Sequence, residues 1–301
     1  YQLSSYRNFE KFRNQFQEFI KKAMHLYMRR KGRVINSSGD FLTDVENCYE
    51  CYEILGAKDC SYVQGGVEIK DCMDCCYVNG EFGYENCECF PMPFKSCFNL
   101  NCYGGNDIMY SDSCLNNNKN LFGCVSMRQS EYCIFNKQYS KEDYEKLRGK
   151  IIEHMKTTSE FGEFFPIQHS PFKYNLTLAL EYFPENQELL EQKVCDLSRA
   201  VEIPDDISDV DESILKGSLT CYKCSKGYRI IEQELAFYKS KNLPIPRECP
   251  ECRHLRRAEF RNYRKLWDRE CKKCHDGIKT THSPQDKKEV YCEKCYLEDV
   301  V

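Results

Sequence analysis

The chain has 301 residues, 41% hydrophobic and 30% charged, which suits a folded protein of two or three compact units and excludes a disordered one. No apolar run approaches the ~18 residues of a membrane span, so no membrane partner is expected. The net charge of −4 conceals a split: residues 1–40 carry +6, 41–220 carry −16, 221–275 carry +8 and 276–301 carry −2. Segments so different in charge are expected to face different partners.

Cysteine is the outstanding component. Of 22 cysteines, thirteen lie between Cys48 and Cys133 and eight between Cys221 and Cys295, with Cys195 alone between the groups. Such chains are either secreted and disulfide-bonded or cytosolic and metal-binding. The second group has metal-ligand spacing, and thiolate ligands favour a reducing cytoplasm.

In chain order, residues 1–40 form the first unit, a basic amphipathic helix over residues 1–31 with a short tail. Phe9, Phe12, Phe16, Phe19, Ile20, Met24 and Tyr27 recur at steps of three and four, and Gly32 with the polar run 36–40 ends it. It is read as packing on the next unit, with partner binding as the alternative.

Residues 41–139 resist a helical reading, being rich in Gly, Asn, Asp, Tyr and Cys. A small polar residue precedes Cys48, Cys60, Cys72, Cys87, Cys97, Cys114 and Cys124. Cys48, Cys72, Cys97 and Cys124 step by 24, 25 and 27, Cys60, Cys87 and Cys114 by 27 and 27, and Cys133 falls outside that register. The period predicts a β-solenoid, or β-helix-like stack, of about four rungs with free thiols filling a narrow interior. Two readings compete: a third zinc site at Cys48, Cys51, Cys72 and Cys75, whose spacing also suits a zinc ribbon, and disulfide staples between rungs.

Residues 140–217 are read as a helical connector. Ser140 and Asp143 form a short capping box ahead of Tyr144, Leu147, Ile151 and Met155 at helical spacing. Further helices are expected over Leu176–Tyr182 and from Glu185 to about Ala200, followed by an acidic linker from Glu202 to Glu212.

Residues 218–301 carry four Cys-x-x-Cys pairs: Cys221/Cys224, Cys249/Cys252, Cys271/Cys274 and Cys292/Cys295. Four thiolates make a closed tetrahedral shell, suited to structure and leaving no open position for catalysis. Two structural Zn2+ ions are expected, with sequential pairing favoured over a cross-brace. His254, His275 and His282 lie nearby but are not needed as ligands. The fold class is therefore α+β and multidomain: N-terminal helix, cysteine-rich solenoid, helical connector and tandem zinc modules.

These motifs carry a resemblance. The stretches Cys221–Cys224, Glu232–Tyr238 and Leu243–Arg253 resemble a zinc-ribbon family of treble-clef type, and Cys271–Cys274 with Val290–Tyr296 looks like a related ribbon. The resemblance implies a helix opening at the second knuckle. Through Phe122–Cys124, Tyr132–Tyr139 and Glu160–Pro166 the wider chain is similar to a cysteine-rich family of small-genome uncultivated bacteria. No activity comes with that likeness, although it implies a further zinc module ahead of the segment matching Tyr1.

The helix expected from Cys249 would carry Arg253, Arg256, Arg257, Arg261, Arg264 and Lys265, interleaved with Phe260, Tyr263 and Trp267. Guanidinium groups in a row match phosphate oxygens, and aromatic neighbours suit single-stranded or looped RNA. This makes nucleic acid, RNA in particular, the first expected partner. The alternatives are a solvated basic face, arginines docked on the acidic middle of the same chain, and a protein-interaction scaffold built on the solenoid surface. There is no Walker loop, dinucleotide fingerprint or His-Glu-x-x-His, and nothing aligns a nucleophile with a base. The chain is read as non-enzymatic, with no small-molecule substrate.

Overall fold

The computed structural model describes residues 3–174, 177, 179–182 and 202–300. Helix α1 spans Tyr6–Lys22, shorter than the expected 1–31, with the Ser5 side chain capping its first turn. A short strand β1 (Met24–Leu26) follows, and the first turn of the solenoid begins already at Arg30.

The solenoid strands are β2 (Arg30–Ile35), β3 (Gly39–Tyr49), β4 (Cys51–Ser61), β5 (Gln64–Met73), β6 (Cys76–Cys87), β7 (Phe94–Leu100), β8 (Tyr103–Met109), β9 (Leu115–Phe122) and β10 (Glu131–Ile134). Each pairs in parallel with the next, in chain order, and a short antiparallel strand β11 (Lys137–Gln138) closes the row. Gly39 sits beside Cys51, Tyr52 beside Gln64 and Gln64 beside Cys76, so one turn takes twelve residues. Local slips to eleven (Ile69 beside Gly80) and thirteen (Gly83 beside Ser96) are absorbed without breaking the row. The expected rung of 24 to 27 residues is thus two turns, and the stack has about nine turns rather than four.

A three-residue rhythm produces this short turn. Leu42, Val45, Cys48, Cys51, Ile54, Ala57, Cys60 and Val63 point inward and are buried. The residue before each is left-handed: Phe41, Asp44, Asn47, Glu50, Glu53, Gly56, Asp59 and Tyr62 all have φ between 47° and 69°. A left-handed residue redirects the strand, so four such corners fold twelve residues into a four-sided coil. Gly, Asn and Asp tolerate this conformation best. That is why a small polar residue stands before so many cysteines.

The exceptions are informative. Asn86 and Ser96 are themselves the inward residues, 1% and 0% exposed, and the corners fall on Glu85 and Lys95. Cys87 and Cys97 are thereby pushed one position outward and are partly exposed. The expectation that Cys72 and Cys97 face inward on neighbouring rungs holds for Cys72 alone, since Gly83 and Ser96 continue its column. Cys133 returns to register as the end of that column, beside Leu121. The buried amides satisfy one another: Asn99 Nδ2 donates to Asn86 Oδ1 at 3.0 Å, and Asn99 Oδ1 accepts from the Ser111 N–H at 3.0 Å.

One outer face is mostly apolar, broken by Ser61. Its column runs Tyr49, Ser61, Met73, Tyr84, Cys97, Met109, Phe122, Ile134. Helix α2 (Lys141–Thr157), capped by Ser140 as expected, lays Tyr144, Leu147, Ile151 and Met155 over its far end, where Phe122 and Ile134 are buried. Arg148 forks onto Asp107 at 2.7 and 2.9 Å and fixes the helix there. Tyr182 closes a short helix α3 (Ala179–Tyr182). The expected helix from Glu185 to Ala200, and Cys195, lie outside the described residues. Among the described residues no helix is long and apolar enough to cross a membrane.

Candidate metal centres and the basic stretch

Each C-terminal module is built the same way. In the first, the antiparallel strands β12 (Leu219–Thr220) and β13 (Gly227–Tyr228) flank the turn that presents Cys221 and Cys224. Helix α4 (Glu232–Lys241) and the return through Pro246 then deliver Cys249, which caps helix α5 (Pro250–Ala258). Pro250 at the first helical position costs no hydrogen bond there. In the second, β14 (Trp267–Glu270) and β15 (Gly277–Thr280) flank Cys271 and Cys274. Strand β16 (Glu289–Tyr291) leads to Cys292, and Cys295 lies in the first turn of α6 (Glu293–Val300).

These elements gather two sets of sulfurs: Cys221, Cys224, Cys249 and Cys252, and Cys271, Cys274, Cys292 and Cys295. Within each set all four Sγ atoms lie within 4.8 Å of one another. Cys224 and Cys249 stand 3.7 Å apart, as do Cys274 and Cys292. A tetrahedral shell with metal–sulfur bonds of ~2.3 Å has sulfur–sulfur edges of ~3.8 Å, so both sets fit a metal ion. The pairing is sequential, and His254, His275 and His282 stand outside both groups.

In each set the backbone favours the thiolate state of one sulfur, that of Cys221 and that of Cys271, while burial pushes the Cys252 thiol up. Burial pushes the Cys221 thiol up, but backbone groups of Cys249, Cys224 and Lys223 outweigh it and bring it down to about 7. The same balance, with Cys274, Cys292 and Lys273, holds Cys271 at about 6. Amide N–H groups of Cys252, Cys292 and Cys295 donate to sulfurs at 3.3 to 3.5 Å. A metal needs that charge state.

The third candidate set does not assemble. Cys48 and Cys51 are two turns away from Cys72 and Cys75, with Cys60 on the turn between. At ~4.8 Å per turn the two pairs are ~10 Å apart, too far for one ion. The described cysteines of the solenoid stand as free thiols, and Cys48, Cys51, Cys60, Cys72 and Cys75 are buried as an interior ladder. Donation from Cys51 and Cys60 pulls the Cys48 thiol down, and donation from Cys60 and Cys75 does the same at Cys72. The donors Cys51, Cys60 and Cys75 are held up by those hydrogen bonds and by burial.

The basic stretch differs from the expected single helix face. Helix α5 stops at Ala258, so Arg261, Arg264 and Lys265 leave its surface. Arg253 donates to Glu234 at 3.1 Å and to the Tyr238 hydroxyl at 2.8 Å, and Arg256 to Glu248 at 2.7 Å. Arg264, only 7% exposed, crosses to the solenoid: its Nη2 donates to Glu53 at 2.7 Å and its Nη1 to Gln64 at 3.0 Å. Its guanidinium lies 3.6 Å from the centre of the Tyr182 ring. Arg257, Arg261 and Lys265 stay exposed, together with Phe260 and Tyr263, and Arg261 donates to the Tyr182 hydroxyl at 3.2 Å.

Sequence reasoning missed a buried polar junction between the second module and the solenoid. Strand β1 pairs in parallel with β16, Met24 beside Glu289 and Leu26 beside Tyr291. Asp40 accepts from the Arg29 N–H at 2.7 Å and from the Thr281 hydroxyl at 2.7 Å. His282 packs edge-on to His25, ring centres 5.3 Å apart, and burial holds its imidazole down at about 4. No local sequence signal announces the junction, since it joins residues 24–40 to residues 280–291. Comparison with protein-family models, with curated proteins and with solved structures finds no match for this chain.

Proposed function

We propose that the protein is a non-enzymatic, zinc-stabilised scaffold for protein–protein interaction, with the solenoid as the recognition surface and the two C-terminal modules as structural units. Zinc is the ion favoured by a closed set of four thiolates. A knuckle on a hairpin followed by a knuckle on a helix, in both modules, is the arrangement a treble-clef ribbon requires. Such thiolate sites suit a reducing cytoplasm.

Arg264 is the observation that carries the scaffold reading. The residue at the heart of the basic stretch is spent on Glu53 and Gln64, so it is taken from any phosphate and used to hold module and solenoid together. Arg253 and Arg256 are likewise engaged with carboxylates of their own module. What remains is a rigid, acidic coil whose stacked turns offer long outer faces, the kind of surface repeat proteins use to bind other proteins.

RNA binding is the second reading, favoured by the exposed group of Arg257, Arg261 and Lys265 beside Phe260 and Tyr263. Photo-crosslinking in cells separates the two. Probes at exposed solenoid positions such as Leu55 and Met73 are expected to yield protein adducts. Probes at Arg257 and Lys265 are expected to yield no RNA adduct. Purified protein should show no affinity for single-stranded RNA that falls steeply with salt. RNA adducts at Arg257, or a steep salt slope lost in an Arg257→Glu/Arg261→Glu/Lys265→Glu variant that keeps both metals, would reverse the choice.

A further inference from the structure

The apolar outer face of the solenoid is covered over only part of its length. At its far end Phe122 and Ile134, each 1% exposed, lie beneath α2. On the first turns the same column and its corner leave Tyr49, Tyr62 and Met73 open, 52%, 45% and 46% exposed. Tyr49 and Tyr62 meet edge to face, ring centres 5.5 Å apart, so they already form one apolar shelf. The shelf is bordered by carboxylates: Glu50 and Asp74 are corners of the turns that carry it, and Asp59 and Asp71 stand at the neighbouring corner. An apolar shelf with an acidic border, continuous with a face where an amphipathic helix already docks, fits a second amphipathic helix with basic edges.

The chain itself carries such a helix. Helix α1 has no buried residue, and Lys21 and Lys22 fill its last turn. Tyr6, Phe9 and Arg13 face the first cysteine module, lining a small cavity with Tyr238 and Pro246. Phe16 and Phe19, farther along the helix, do not line that cavity and are 49% and 68% exposed. Helix α1 itself carries five Lys/Arg against Glu10 and Glu18, a balance of +3, while the solenoid residues 41–139 sum to −8.

Resting on the scaffold reading, we propose that the partner of this shelf is a second copy of the chain: the Phe16–Phe19 edge of α1 in one copy docks on Tyr49, Tyr62 and Met73 of another. It continues along the face that α2 covers farther down. Lys22, and Lys21 once it exchanges its own-helix partner Glu18, then stand against the acidic border, and association weakens with salt.

Sedimentation velocity of the full, metal-loaded chain over a range of concentrations tests this. Self-association is expected for the native chain, and a loss of about tenfold or more in affinity is expected in Met73→Glu and, separately, in Phe16→Glu/Phe19→Glu. Mixing the two variants should restore a heterodimer, because each retains the half that the other lacks, and this also shows that both still fold. A native chain that stays monomeric throughout, association untouched by both variants, or a mixture of variants that fails to pair would overturn the proposal. A monomer whose Met73 probe still captures a specific protein in cells would remove self-docking while leaving the scaffold reading intact. RNA adducts at Arg257 would remove that reading by itself.

Discussion

Substituting one exposed corner residue tests the three-residue rhythm of the solenoid. Glu68 stands at φ 52° on the solvent side of the coil, and its side chain has no hydrogen bond or ion pair among the described residues. Left-handed backbone costs a residue with a Cβ roughly 1–2 kcal/mol, more when the side chain is β-branched and less for Asn. Glu68→Val is therefore expected to destabilise by about 1–2 kcal/mol relative to Glu68→Asn. Glu68→Gly should come out within about 1 kcal/mol of the native chain, since the strain relieved is offset by backbone entropy. Lys70 supplies the control: it is exposed on the same strand, is not left-handed, and makes only a loose 3.9 Å contact with Asp71. Valine there suits extended backbone, so Lys70→Val should stay within about 0.5 kcal/mol. With a urea dependence of about 2 kcal/mol per molar, the Val and Asn variants at position 68 should differ in midpoint by about 0.5–1 M. Equal tolerance of Val at both positions would refute the corner assignment, and with it the twelve-residue turn.

Thiol labelling under native conditions should divide the solenoid cysteines by position. Cys76, Cys87 and Cys97, partly exposed, are expected to react well before Cys60, Cys72 or Cys114, which fill the interior; mass spectrometry of the labelled peptides gives the order. The junction should be sensitive to acid through His282, whose folded imidazole titrates at about 4 against an unfolded value of about 6.5. Its neutral form belongs to the folded state, so its contribution is fully present above about pH 6.5 and is lost as pH falls towards about 4. The urea midpoint of the native chain should accordingly drop more between pH 7 and pH 5 than that of His282→Gln, a difference from which proton competition at the cysteines cancels.

Much of this architecture was legible because its signals are local. The capping box at Ser140, the Cys-x-x-Cys knuckles and the polar residues before inward cysteines each report a backbone requirement of a few neighbouring residues. The period was read at twice its true length. Cysteine occupies the inward column only at some turns, and Gly83, Ser96, Ile108 and Leu121 hold the same place where it does not. A reading keyed to one residue type skips those turns. The basic stretch misled for another reason: a helical wheel assumes that the helix continues, whereas α5 ends at Ala258 and the chain beyond turns Arg264 into the solenoid. The junction around Asp40, Thr281 and His282 joins residues some 240 positions apart, and no local pattern announces such a contact.

Metal counting by native mass spectrometry tests the account most directly. The native chain should carry two zinc ions. Cys224→Ser/Cys252→Ser should carry one and Cys274→Ser/Cys295→Ser should carry one, while Cys48→Ser/Cys72→Ser keeps both. Loss of both ions from either of the first two variants would contradict the sequential pairing. A metal-free chain whose C-terminal modules remain folded, or an ion lost on replacing Cys48 and Cys72, would contradict the two-site account itself.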